Sequence, residues 1–367
     1  MASPRRSLTI GIDARAATEE VAGRGRVVRE LLRAFAGRDD PHRYRLYARR
    51  AWDEDLGARF RWRLGPASTA RWHVWAARSI TRDCDVCLAT NSYLTPVLVR
   101  VPTATIVYDL VALDPAMRAP LRSTIVERTS LGLAVRRSAA LLAISQATAD
   151  ALAARLPAAA PKTNVMPLGV SPALEVGATA AAPVPEGFVL AVGTLEPRKN
   201  FPRLVEAYRR LPDELQAEHG LVVVGRSGWQ TGPTLDALRS LGDRAHLLGA
   251  ASDRELASLY QRCAVFCYPS LAEGFGLPVL EAMSAGAAVL TSDRSSLPEV
   301  GGDAVAYADP TDTAAIAREL ERLLRDPAAR EDLSVRARER AARFTWAASA
   351  EVATAALTAI AERARRI

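Results

Sequence analysis

Histidine is scarce in this 367-residue chain: His42, His73, His219 and His246 are the only four. None has a spacing that suits a catalytic triad or a metal site, which argues against a histidine-based hydrolase or a zincin. Cysteine is equally sparse, at Cys84, Cys87, Cys263 and Cys267. The C-x-x-C pair reads as part of a strand, where residues three apart face opposite ways, and no second pair completes a zinc or redox site. Inert thiols in a reducing compartment are expected. No apolar run approaches the ~18 residues of a membrane-spanning helix. The opening MASPRRSLTIGID continues into polar and charged residues rather than the apolar stretch of a signal peptide, so a cytoplasmic protein is expected. The aromatic and basic interleaving of a nucleic-acid-binding module is also missing.

What is present is a globular balance, 49% hydrophobic and 24% charged. The length exceeds what one core usually fills, so two domains are expected. The net charge of +7 is unevenly spread: residues 1–183 hold 26 basic and 16 acidic residues, residues 184–367 hold 22 and 25. A basic front half suggests an anionic partner there, such as a membrane surface, a lipid phosphate or an acidic acceptor. The plainer reading is a set of solvated arginines in a composition that uses arginine in place of lysine.

Strand-like runs alternate with helical patterns along the chain. LTIGID (8–13), TATIVYD (103–109) and ALLAIS (140–145) read as buried parallel strands, and VVRELLRAF places Val27, Val28, Leu31, Leu32 and Phe35 on one helical face. Ser145 is a plausible N-cap for the helix QATADALAARL. Residues 171–187, rich in small residues and proline, read as a linker. A second series follows in FVLAVG, LVVVG, HLL, VFCYP and AAVLT, and the tail is helical with breaks at Asp326-Pro327 and at RFTWAAS. The expected fold class is therefore α/β, two Rossmann-like doubly wound domains facing a central cleft. The N-terminal domain is placed at 1–170 and the C-terminal one at 188–345.

The chemistry concentrates in YPSLAEGFGLPVLEAMSAGAAVLTS, which reads as strand, loop, helix, strand. Pro278 suits the first helical position and Gly286 the helix end. The loop before Pro278 then presents free N–H groups and the positive end of a helix dipole, a natural anion site. Gly274 and Gly276 let the backbone approach a ligand. Glu273 and Glu281 flank this cradle. Carboxylates repel phosphate, so they are better suited to hydroxyls on either side of it, and a diphosphate with hydroxyl-rich ends is a nucleotide sugar.

These residues resemble the E-x7-E motif of the retaining glycosyltransferases of family four, which have the GT-B fold. The resemblance runs through GTLEPRKN (193–200), LVVVGRSGW, LLGAASDRELASLYQRC and TSDRSSLPEVGGDAVAYADPTD, and more weakly through IGIDAR, AGRGR, VYDLVAL and LLAISQATADAL. It implies that Glu281 holds the donor ribose, that Glu273 binds the transferred sugar, and that the backbone of Gly274, Phe275, Gly276 and Leu277 contacts sugar and diphosphate. Lys199 matches the family's phosphate-binding lysine. Thr194 stands where an arginine is usual, with Arg198 as the second cation; Gly249 lies near the nucleotide base and Arg226 within reach of phosphate. In the N-terminal half, AGRGR is expected as a loop preceding the first helix, with Gly23 and Gly25 letting the backbone approach the donor diphosphate and Arg24, Arg26 and Arg29 close together. Tyr108 replaces a histidine and leaves Asp109 as the more interesting neighbour. The final helix, 346–367, is expected to pack back on the N-terminal domain.

The function so implied is transfer of a sugar from a nucleotide-diphosphate donor to an acceptor hydroxyl with retention, in glycan, glycolipid or natural-product biosynthesis. GDP-mannose is preferred over UDP- or dTDP-sugars because GTLEPRKN resembles mannosyltransferases. No metal or other cofactor is expected, and the literal D-x-D at Asp83-Cys84-Asp85 is not read as a metal site. The acceptor is expected to be lipid-linked or anionic, with peripheral membrane contact through the basic half and no nucleic-acid partner. The alternatives are a nucleotide-sugar epimerase of the same fold and a non-catalytic nucleotide-sugar-binding module.

Overall fold

The computed structural model describes residues 7–19, 23–110, 121–171 and 184–366, the side chains of 121–128 excepted. The chain divides into two compact units, one formed by Met1–Gly169 with Thr345–Ile367 and the other by Val170–Phe344. The expected linker lies mostly outside the described residues.

The first unit holds seven parallel strands: β1 (Thr9–Asp13), β2 (Arg43–Ala48), β3 (Phe60–Leu64), β4 (Val86–Ala89), β5 (Thr103–Val107), β6 (Ala140–Ala143) and β7 (Thr163–Val165), in the order β3-β2-β1-β4-β5-β6-β7. β4, β5 and β6 are buried along their whole length, the continuous apolar pattern of strands covered on both faces. β2 and β3, with sequences RYRLYA and FRWRL, lie at one side and keep arginines at their exposed positions. Cys84 does not belong to a strand; it caps the C-terminus of the helix Thr69–Asp83, and only Cys87 lies in β4. All four thiols are free.

The helix Trp346–Arg365 belongs to this first unit. It buries Trp346, Ala350, Ala353, Leu357 and Ile360, one helical stripe, against β4, β5, β6 and the helix Arg24–Ala36. Gly169 admits its first turn, since a Cβ there would lie 2.3 Å from the Trp346 amide nitrogen. By length and composition alone the helical stretch Pro327–Arg365 is apolar enough to cross a membrane, contrary to the expectation from apolar runs, but half of its most apolar window is buried within the protein.

The second unit has six parallel strands: β8 (Val189–Val192), β9 (Leu221–Val224), β10 (Ala245–Leu247), β11 (Val265–Tyr268), β12 (Val289–Ser292) and β13 (Ala306–Ala308). Their order, β10-β9-β8-β11-β12-β13, is that of a doubly wound dinucleotide fold. One core runs from Val189 and Leu221 through Phe201, Leu204 and Tyr208 to Ile316, Leu320 and Leu323. Helix starts are capped as local chemistry demands. Ser252 and Glu255 form a reciprocal capping box, Asp312 accepts from two amides, and Ser145 in the first unit accepts from the Thr148 amide. In such sheets the direction of winding reverses between the first and fourth strands, here β8 and β11, and the loops after their C-terminal ends diverge to form a ligand crevice.

Candidate active site

The two loops at that reversal are tied together. After β8, Gly193 turns the chain at φ 152°, and a Cβ on Gly225 would lie 1.9 Å from the Gly193 carbonyl oxygen, so the end of β9 packs directly on the turn. A single turn of 3₁₀-helix, Pro197–Lys199, leads to Asn200, held left-handed at φ 63°. The Asn200 side-chain amide donates to the carbonyls of Pro269 (3.0 Å) and Pro310 (2.7 Å), and the Leu271 amide donates to the Arg198 carbonyl at 2.8 Å. Asn200 therefore fixes the first loop against the one that follows β11.

This cross-linking brings together three of the expected residues. The Glu273 Oε1 accepts from Lys199 Nζ at 2.7 Å and its Oε2 accepts from Arg198 Nη1 at 2.6 Å. The Tyr268 hydroxyl donates to Oε1 at 2.9 Å and is also in contact with Lys199 Nζ. Glu196 binds the other side of Arg198 at 3.0 Å. The Lys199 and Glu273 side chains are 7% and 8% exposed, so this is a desolvated ion cluster, not a surface pair. Burial acts to raise the Glu273 pKa, but the adjacent Arg198 and Lys199 outweigh it and hold the carboxyl at about 2. Lys199 moves below the ordinary lysine value because burial exceeds the support from Glu273, and burial drives the Tyr268 phenol well above its usual range. At neutral pH the cluster therefore holds an ionised Glu273 and a neutral Tyr268.

The glycine turn leads into the helix Leu277–Ala285. Gly276 sits at φ 103°, and a Cβ there would be 2.6 Å from a Leu297 methyl group, so the position demands glycine twice over. Pro278 is the second helical residue rather than the first, and Gly286 closes the helix at φ 82°. The helix presents its first N–H groups at Gly276 and Leu277, which α-helical geometry leaves without intrahelical acceptors. Upstream, the Glu273 amide donates to Ser295 Oγ at 3.0 Å and Ser296 Oγ donates to the Glu273 carbonyl at 3.1 Å, fixing the loop from a third side. Glu281, one turn into the helix, is buried, and the Tyr260 hydroxyl donates to its Oε2 at 3.2 Å. The Phe275 side chain packs edge-on against Phe344 at 5.9 Å, so it serves the core and leaves only its backbone to a ligand.

Other expected residues take varied places. Thr194 is exposed on the loop after β8, and Arg226 is exposed immediately beyond β9. Gly249 turns the chain after β10 at φ 66°, its carbonyl accepting from the Gly225 amide at 2.7 Å. The expected loop ends earlier: Gly25 is the second residue of the helix Arg24–Ala36, and Gly23, at φ 56°, makes the turn before it. A helix starting at Arg24 absorbs the second glycine because its φ there is unremarkable, and only Gly23 needs the conformation that a side chain disfavours. Asp109 is half-buried two residues past β5. The Tyr108 hydroxyl is committed to the Thr90 carbonyl at 2.8 Å, and the Arg24 guanidinium lies over its ring at 5.2 Å. Asp83 pairs with Arg63 and Arg82, and Asp85 with Arg365; among the described residues no group of acidic, histidine or cysteine side chains could hold a metal ion.

Three residues of the site escaped the sequence reading: Asn200, Tyr268 and Ser270. Tyr268 and Ser270 flank Pro269 at the end of an apolar strand, where they read as core, and the strand-end position was the available signal.

Residues 179–340 match the family model described as glycosyl transferases group 1. Over 167 residues the chain is 41% identical to O-antigen chain mannosyltransferase B of Escherichia coli, which covers 44% of this chain and 43% of that protein, so the chain spans less than half the relative's length. Among solved structures, sucrose-phosphate synthase from Thermosynechococcus elongatus superposes with a TM-score of 0.75 at 21% identity, covering 94% of this chain and 96% of that one. HepE from Anabaena, in complex with UDP-glucose, gives 0.69 at 17% identity over 98% and 100%. At such identities these two likenesses are ones of fold.

Proposed function

We propose, from the match of residues 179–340 to the family model described as glycosyl transferases group 1, that this chain transfers a sugar from a nucleotide-diphosphate donor to an acceptor hydroxyl. The observation that carries the reading is the convergence of Arg198, Lys199 and Glu273 at the ends of β8 and β11, beside the N-terminus of the helix Leu277–Ala285. Two cations and a helix dipole suit a diphosphate, and the flanking carboxylates suit hydroxyls. In the transfer, the bond from the anomeric carbon to the phosphate oxygen breaks while a bond to the acceptor oxygen forms on the same face. The acceptor proton passes to the departing phosphate. Arg198 and Lys199 stabilise the negative charge that gathers on that leaving group. Glu281 holds the ribose and Glu273 the transferred sugar. Mannose is the sugar supported by the likeness to the O-antigen mannosyltransferase.

The basic half supports an anionic lipid surface as partner. On the helix Thr69–Asp83 the exposed positions Arg71, Val74, Arg78 and Arg82 form one stripe of cations around an apolar residue. In the same unit, an open groove of about 810 Å³ is lined by the apolar Val97, Leu98 and Ile360 together with Arg100, Arg137 and Arg363. Co-sedimentation with phosphatidylglycerol vesicles, lost in pure phosphatidylcholine and in Arg78→Glu, tests this contact.

The test of function is thermal shift with GDP, UDP and dTDP, since a ligand of the folded state raises the melting temperature, followed by incubation of the matching nucleotide sugar with and without acceptors. Glu281→Ala should abolish the nucleotide response. An unchanged response, or free sugar released at the full rate without acceptor, would overturn the reading.

A further inference from the structure

Glu273 faces a conflict that its present partners do not resolve. It is ionised, nearly buried, and held by the same two cations that a diphosphate would claim. A carboxylate stripped of both would be left as an uncompensated buried charge, which is strongly unfavourable. Two neutral hydroxyls stand within its surroundings. Tyr268 already donates to Oε1, and its ring is fixed by stacking on Phe266 at 5.7 Å and by Lys199 over its face at 4.7 Å. Ser270 is wholly buried, and its Oγ has no hydrogen-bond partner. It lies two residues after Tyr268 and three before Glu273, on the loop that follows β11. A buried hydroxyl without a partner, on the loop that carries the carboxylate, is a donor held in reserve.

We propose that Tyr268 and Ser270 are positioning residues that keep Glu273 in place, ionised and aimed, when a donor diphosphate takes Arg198 and Lys199. The inference rests on the donor site proposed above. In the free protein Glu273 occupies the cations as an internal anion. On binding, the diphosphate displaces it from them, the two hydroxyls hold it, and its freed oxygen accepts from a sugar hydroxyl. When the nucleotide diphosphate has lost its sugar, Glu273 returns to the cations and assists release.

Tyr268→Phe removes one hydroxyl and keeps the ring. Without that hydroxyl Glu273 depends more on the cations and competes harder, so calorimetric affinity for the best-binding of GDP, UDP and dTDP should weaken about tenfold, and kcat should fall at least as much. Ser270→Ala should act in the same direction. Glu273→Gln should tighten nucleotide binding while abolishing transfer, and in the Glu273→Gln background Tyr268→Phe should no longer weaken it. If Tyr268 only supports the loop, the weakening persists in that background, and the proposal fails. Nucleotide affinity unchanged by Tyr268→Phe also defeats it. No nucleotide binding by the wild-type chain would instead defeat the donor site itself.

Discussion

Arg15→Met should destabilise the first unit by about 4 kcal/mol, a cost set by what the guanidinium leaves behind. Asp13, the last residue of β1, is fully buried, and its carboxylate is gripped twice by Arg15, through Nε at 3.0 Å and Nη2 at 2.8 Å. Removing one partner of a buried ion pair costs roughly 3–5 kcal/mol because the other charge stays desolvated. Thr95 Oγ1, at 3.2 Å, remains as a weak donor. The guanidinium also stacks on the buried Trp72 at 3.8 Å, worth up to about 2 kcal/mol, part of which a methionine recovers by packing. In a unit of this size each kcal/mol moves the midpoint by about 2–4 °C, so calorimetry should show a drop of about 8–16 °C in one transition. Loss of hydrogen-exchange protection in β1 and β4 would assign that transition to the first unit. The pair Asp13→Asn with Arg15→Met removes the stranded charge and should recover most of the loss. A drop below about 3 °C for Arg15→Met, or a double variant worse than the single, would refute the reasoning.

Lys199→Met should leave the second unit folded, because Arg198 and Tyr268 still hold Glu273, and should lower kcat by about 10²–10³, the usual cost of losing one group that stabilises transition-state charge; steady-state kinetics showing less than a tenfold loss would contradict its role. Burial, aided by Arg15 at 3.5 Å, lowers the pKa of His73, so the unfolded chain takes up that proton first and stability should decline as pH falls below about 6.5. Chemical denaturation of His73→Gln across pH 5–7.5 should show a flatter profile, and an identical slope would exclude this cause. Gly276→Ala combines a φ of 103° with a Cβ 2.6 Å from Leu297 and should cost about 1–3 kcal/mol, visible as a lowered melting temperature and reduced nucleotide response; an unchanged melt would mean that the turn relaxes freely.

Much of this protein was determined locally. The strands β5, β6, β8, β9, β11 and β12 are short apolar runs, buried on both faces, and such runs announce themselves without knowledge of their neighbours. The turn before Leu277–Ala285 is equally explicit, because glycine and proline report backbone angles directly. β2 and β3 were hidden, since arginines break the apolar pattern of both, in the edge strand β3 and in β2 beside it. Only the tertiary structure decided that Lys199 and Arg198 meet Glu273 across some 74 residues, that Asn200 locks the two loops, and that Tyr268 is a hydroxyl donor and not simply another core aromatic. Local sequence carries periodicity and turn chemistry, but which loops converge depends on strand order, and strand order arises from packing between segments far apart in the chain.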